Sequence, residues 1–154
     1  MKVRVILFAL AVLLLSASVC LADDPHMGTW KLNGAKSKFA KGATKNNTVV
    51  YESVGGNIKV TVDGVNAAGA AIHSEWTGKF NGKFFPVTGD PSSDQRAYRR
   101  INSRLLALTG RKNGRVNLTG RVLITGEGRT RTVTTFGPNA KGKKVTNRAV
   151  YDKV

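Results

Sequence analysis

The chain has 154 residues, a formal net charge of +16 and a single cysteine, Cys20. One cysteine excludes a disulfide framework and a cysteine-built zinc site, and the length suits one domain with a core of its own. Such a charge favours anionic partners, among them acidic lipid headgroups, acidic polysaccharide and nucleic acid.

The first 22 residues read as a secretory signal. Lys2 and Arg4 form a positive start, residues 5–15 an uncharged apolar run, and residues 16–22 a small-residue exit ending at Ala22. The run is too short for a bilayer span, which takes about 20 apolar residues. Cleavage after Ala22 is expected, giving a secreted or periplasmic protein. Lipid attachment at Cys20 is the lesser reading, because the branched Val19 precedes it. The remaining domain, residues 23–154, carries 23 basic and 9 acidic residues. The charge is lopsided: residues 23–94 sum to +1 and residues 95–154 to +13.

From there the chain shows short alternating runs rather than helical periodicity. Strands are expected at residues 29–33, 48–54, 57–63, 71–80 and 84–88. Further strands follow at 96–101, 104–109, 115–125, 129–136 and 145–154. In 57–63, Ile58, Val60 and Val62 share one face; in 71–80, Ile72, Trp76 and Phe80 do. In 115–125, Val116, Leu118, Val122 and Ile124 point inward, and Arg115, Asn117, Thr119 and Arg121 outward. Turn signals fall at Gly55-Gly56, Asp63-Gly64, Asn81-Gly82, Asn102-Ser103, Asn113-Gly114, Gly126-Glu127-Gly128 and Gly137-Pro138-Asn139. Asn-Gly and Asp-Gly steps supply the positive φ that two-residue hairpins require. The fold class is all-β: a single antiparallel up-and-down β-barrel of about 8–10 strands, since closure removes exposed strand edges. A sandwich is the alternative. A Thr-Gly-basic step recurs at Thr77, Thr109 and Thr119 without a fixed period, so the chain is not a solenoid.

The opening "GTWKL" (Gly28 to Leu32) and the closing "AVYDKV" (Ala149 to Val154) resemble the calycins, the lipocalins and fatty-acid-binding proteins. The resemblance implies a barrel whose first-strand tryptophan, Trp30, closes one end, and a small hydrophobic or amphipathic ligand. It also implies an arginine of the last strand packed on that ring, with Arg148 in that place and Arg131 second. Two departures stand out. Fatty-acid-binding proteins close on Arg-x-Tyr, whose two side chains share a face and hold a carboxylate. Here Arg148 and Tyr151 are three apart and face opposite sides of a strand. The connection 34–47 is also too short for two lid helices and holds one turn at most.

Residues suited to catalysis are sparse. His26 and His73 are the only histidines, and they are far apart with no metal-ligand spacing. Asp90 and Asp94 bracket a Pro-Ser-Ser loop and read as turn caps. No Gly-x-Ser-x-Gly step occurs. No enzyme activity, metal or cofactor is expected. The segment "QRAYRRI" turns at least one arginine inward on either parity, and a buried guanidinium needs a partner. That makes Arg99, or the pair Arg96 and Arg100 with Tyr98, an anion hook; a rim position where the long side chains reach solvent is the structural alternative. The expected ligand-contacting set is Arg99, Tyr98, Trp76, Ile58, Val60, Val116 and Leu118, with Trp30 and Arg148 closing the barrel. The function expected is that of an exported binding protein for a small apolar or amphipathic, and by its hook anionic, molecule. The alternative is an interaction protein whose basic half binds an anionic polymer or membrane surface. Aromatic residues are too few among the basic ones for specific nucleic-acid binding, and a monomer is expected.

Overall fold

The computed structural model describes residues 23–154; the expected signal segment, its cleavage point and Cys20 lie outside the described residues. Ten strands form one closed antiparallel barrel. They are β1 (Gly28–Leu32), β2 (Lys45–Val54), β3 (Asn57–Val65), β4 (Ala71–Gly78), β5 (Phe85–Thr88), β6 (Gln95–Asn102), β7 (Leu105–Lys112), β8 (Arg115–Thr125), β9 (Thr130–Pro138) and β10 (Lys144–Lys153). Each strand pairs with its sequence neighbours, and β1 closes the ring by pairing with both β2 and β10. The connection after β1 holds only a 3-10 turn at Gly34–Lys36, capped by the Asn33 side chain.

Most turns sit where the composition puts them. Gly55 and Gly56 have φ of 54° and 77°, and Asn113 and Gly114 of 50° and 75°, as tight hairpins require. Three expectations are corrected. Gly137 and Pro138 are not in a turn: both belong to β9, paired with Val145 and Lys144, and the reversal comes at residues 139–143. The β6–β7 turn is Ser103-Arg104 rather than Asn102-Ser103, because Asn102 still pairs with Leu105 beyond a register shift. Asp63-Gly64 is not a turn: Gly64 lies within β3, and the reversal comes at residues 66–70. A Cβ on Gly64 would lie 2.2 Å from the Lys45 carbonyl oxygen, so this glycine permits a close backbone approach where β2 bulges.

The inner faces build a core dominated by aromatic rings. Trp30, Tyr51, Trp76, Tyr98 and Tyr151 are each at most 3% exposed, and Leu106, Val122 and Ile124 pack among them. Trp76 meets Tyr98 edge-on at 4.8 Å between ring centres, and Phe80 lies near Trp76, Tyr98 and Tyr51. Residues 23–27 run across this end of the barrel. The Trp30 indole N–H donates to the His26 carbonyl at 3.0 Å, and the buried His26 ring meets Phe80. Trp30 is a plug. The cation on its ring is Lys153, at 5.2 Å, and not Arg148. Arg148 is exposed and donates to the Lys36 carbonyl, because Ala149 and Tyr151 take the inward positions of β10.

Candidate functional site

The parity of β6 decides which arginine enters the barrel. Phe85 pairs with Arg96, and Tyr98 is buried, so Arg96 and Tyr98 face inward while Arg99 lies exposed on the outer face. Arg99 is therefore not an interior hook; its aliphatic stem packs over Gly82. Arg100 is exposed at the plugged end, where it pairs with Asp24 and lies 5.1 Å from the Phe80 ring centre. Arg96 is different. Its guanidinium donates to Asp90 at 2.6 Å, and the two side chains are only 11% and 12% exposed. Asp90 also caps its own loop by accepting from the Ser92 amide and hydroxyl.

Arg131 is a second interior guanidinium, placed there by the shared parity of Arg131 and Val133 on β9. It is 4% exposed and donates to the Tyr51 hydroxyl at 2.6 Å. It lies over two rings, 4.8 Å from Tyr51 and 5.1 Å from Tyr151. Its Nε and remaining terminal nitrogen have no protein partner. Burial pushes the Tyr51 and Tyr151 phenols above their usual range, with the Arg131 charge opposing, so both stay neutral, and the Tyr51 oxygen accepts from Arg131. The Tyr151 position is the one the terminal motif foreshadows, but the guanidinium beside it comes from β9.

The other expected ligand contacts separate. Val60 and Trp76 are each 1% exposed and belong to the packed core, and Ile58 packs against it. The Trp76 indole N–H donates to the Arg96 carbonyl. Val116 and Leu118 instead line an open cleft at the barrel end opposite the Trp30 plug. Val116 is 57% exposed, against its expected inward position. The reason is a bulge: Gly110 pairs with Leu118 but Arg111 pairs with Val116, leaving Asn117 extra. The extra residue inverts the alternation upstream of it. Asn117 thus turns in rather than out, and its amide donates to the Ser92 carbonyl.

The cleft lies where the β8–β9 ladder ends, although the two backbones stay close there: a Cβ on Gly137 would lie 2.6 Å from the Asn117 carbonyl oxygen. Their ladder stops at Thr119 and Phe136, whereas β9 stays paired to β10 as far as Pro138 and Lys144. Val116, Leu118, Phe136, Pro138 and Val145 give it apolar walls, with Lys144 as the charged lining group, around a volume of about 480 Å³. Small-molecule sites fall at about 300–1,000 Å³. Phe136 is 49% exposed, an unusual position for a large ring. Exposed basic residues flank the cleft: Arg115 adjoins Val116, and Lys141 and Lys143 precede Lys144. Compared with known protein families and with curated proteins, the chain matches none.

Phe136, Pro138, Lys144 and Val145 did not stand out in the sequence as a set. Their signal is an aromatic among threonines in β9 facing a lysine run across the β9–β10 turn. His73, the remaining titratable group of note, is exposed on β4. Its Nδ1 lies 2.6 Å from Asp63 and its Nε2 3.5 Å from Glu75; the Asp63 hydrogen bond, ahead of the two carboxylate charges, raises its pKa.

Proposed function

We propose that this protein is an exported, non-catalytic binding protein of calycin type that takes a small amphipathic anion at the open end of its barrel. The apolar part lies in the cleft between β8 and β9–β10, against Leu118, Phe136 and Val145. The anionic part meets the basic rim that includes Lys144. The observation that carries this reading is the cleft itself: an apolar hollow of about 480 Å³ with a lysine in its lining. Phe136 stands on the outer face of β9, opposite in parity to Arg131 and Val133, and gives the hollow an exposed aromatic wall for a hydrophobic chain.

The test is titration calorimetry with dodecanoate and with dodecanol, alongside native mass spectrometry of the protein as purified. Dodecanoate is expected to bind in the micromolar range, about −8 kcal/mol. Phe136→Ser should weaken binding by about tenfold or more while leaving the fold intact. No binding of either probe, and no bound small molecule, would sink the reading.

The basic rim supports a second reading, in which the same face holds an anionic polymer or membrane surface. Retention on heparin, with elution as salt rises and no bound small molecule, favours that one.

A further inference from the structure

The ion pair between Asp90 and Arg96 stands at the barrel mouth, next to the cleft. Phe85, Arg96, Gly110 and Leu118 are successive cross-strand partners on the inner face of β5–β8. Gly110 leaves a gap in this row, and Ser93 fills it: a Cβ on Gly110 would lie 2.8 Å from the Ser93 hydroxyl oxygen. The connection of residues 89–94 is therefore folded into the mouth. Polar ties hold it there. Asn117 donates to the Ser92 carbonyl at 2.7 Å, Lys112 to the Pro91 carbonyl at 3.2 Å, and the Asn113 amide to Asp94 at 2.8 Å.

Three buried polar atoms around this loop have no protein partner: Arg96 Nε, Ser93 Oγ and Asn117 Oδ1. Ser93 is 1% exposed. Asn117 and Leu118 also line the cleft. Leu118 lies two strands from Arg96, roughly 10 Å at the usual strand spacing. The loop fills the space between them.

We propose that residues 89–94 form a displaceable stopper, and that the Asp90 carboxylate holds the place at Arg96 that the head of a carboxylate-bearing amphiphile takes. This rests on the cleft reading above and names the ligand class and its gate. In the bound form the ligand carboxylate replaces Asp90 on the Arg96 guanidinium, and Asp90 moves out to solvent. Exchange of one carboxylate for another keeps the buried arginine paired, so the swap avoids an uncompensated charge in the mouth. Arg96 Nε, which has no protein partner and stays behind when the loop leaves, supplies an extra donor that a free carboxylate, unlike the tethered Asp90, can turn to meet. The tail then runs over Gly110 to Leu118 and into the cleft. A phosphate head fits less well, because the place it would take holds a single carboxylate against a single guanidinium.

Calorimetry with dodecanoate and dodecanol on the unaltered protein, Asp90→Asn and Arg96→Met tests this. Asp90→Asn keeps the side-chain shape and removes the competing charge. It should bind dodecanoate about tenfold more tightly, since the intramolecular competitor acts at high effective concentration, and bind dodecanol unchanged. Arg96→Met should lose the preference for dodecanoate over dodecanol. Hydrogen exchange on the unaltered protein gives a readout that needs no variant to fold. Saturating dodecanoate should speed exchange of the Ser92 and Asn113 amides, which donate to Asp90 and Asp94, and dodecanol should not. If dodecanoate binds but Asp90→Asn shifts its affinity less than twofold and the two amides exchange as before, the stopper is refuted and the cleft reading stands. If neither probe binds the unaltered protein or Asp90→Asn, both fall.

Discussion

Arg131 donates to the Tyr51 hydroxyl at 2.6 Å inside the barrel, and no carboxylate among the described residues pairs with its guanidinium. A buried charge without a counter-ion is held by what remains: one hydrogen bond and the faces of Tyr51 and Tyr151, each worth about 0.5–2 kcal/mol. The two partners depend on each other. Tyr51→Phe strands the guanidinium and should cost about 1.5–3 kcal/mol; Arg131→Met strands a buried hydroxyl and should cost about 1–3 kcal/mol. The double variant removes both polar groups, so its loss should fall short of the summed single losses by at least about 1 kcal/mol. Urea unfolding of the four proteins measures this, and additive losses would contradict the coupling.

His26 brings a pH dependence. Its ring is fully buried with neither nitrogen bonded, and burial lowers its pKa from 6.5 to about 4. Asp24 pulls the other way, while Arg131 and Arg100 add to the lowering. Between about pH 4 and 6.5 the unfolded chain binds more protons than the folded one, so stability rises with pH across that window. The contribution is complete above about pH 6.5, falls as the pH drops towards 4, and amounts to at most about 3 kcal/mol. His73 acts in the opposite sense, because its pKa is raised: its contribution is present at acid pH and lost as the pH rises. Comparing His26→Leu with the unaltered protein isolates His26. The variant should lose less stability between pH 7.5 and 4.5, and parallel profiles would rule out a buried neutral His26.

The strand order was legible from the sequence because each element announces itself locally, by alternation inside and Gly or Asn at the ends. Interior placement was legible wherever a strand keeps its register, as in Val60, Trp76, Val122 and Ile124. It failed where partner strands intervene. Val116 turns outward because the ladder slips by one opposite Gly110, and nothing within residues 115–125 records that slip. Arg96, and not Arg99, enters the barrel because of its pairing with Phe85 across a loop. The choice between two arginine parities needs the position of Asp90, which local pattern does not supply. Arg131 was legible only in part: it shares parity with Val133, but Tyr51 lies 80 residues upstream.

Glycines that allow close strand contact should separate sharply from those at open turns. A Cβ on Gly120 would lie 2.4 Å from the Thr134 carbonyl oxygen, a backbone atom that cannot step aside without disturbing the β8–β9 ladder. Gly34 has nothing within 4 Å and no positive φ. Gly120→Ala should lower stability by about 2–4 kcal/mol and Gly34→Ala by no more than about 0.5 kcal/mol. Thermal unfolding at one pH compares the two, and equal losses would mean that the β8–β9 approach is looser than a 2.4 Å contact implies.

The barrel plug yields the last test. Trp30 is fully buried, hydrogen-bonded to His26 through its indole N–H, and covered by the Lys153 ammonium at 5.2 Å from its ring centre. Truncating a buried tryptophan removes both its apolar area and the packing around it, so Trp30→Ala should cost about 3–5 kcal/mol. Lys153→Ala removes only the cation–π contact and its stem, and should cost about 0.5–1 kcal/mol. Arg148→Ala leaves Trp30 untouched: the side chain is exposed and gives one hydrogen bond to the Lys36 carbonyl, so the change should stay within about 0.5 kcal/mol. Tryptophan fluorescence reports on the same contact, because Lys153→Ala should shift the emission of the folded protein and Arg148→Ala should not. If Arg148→Ala shifts it and Lys153→Ala does not, Arg148 is the plug's cation after all.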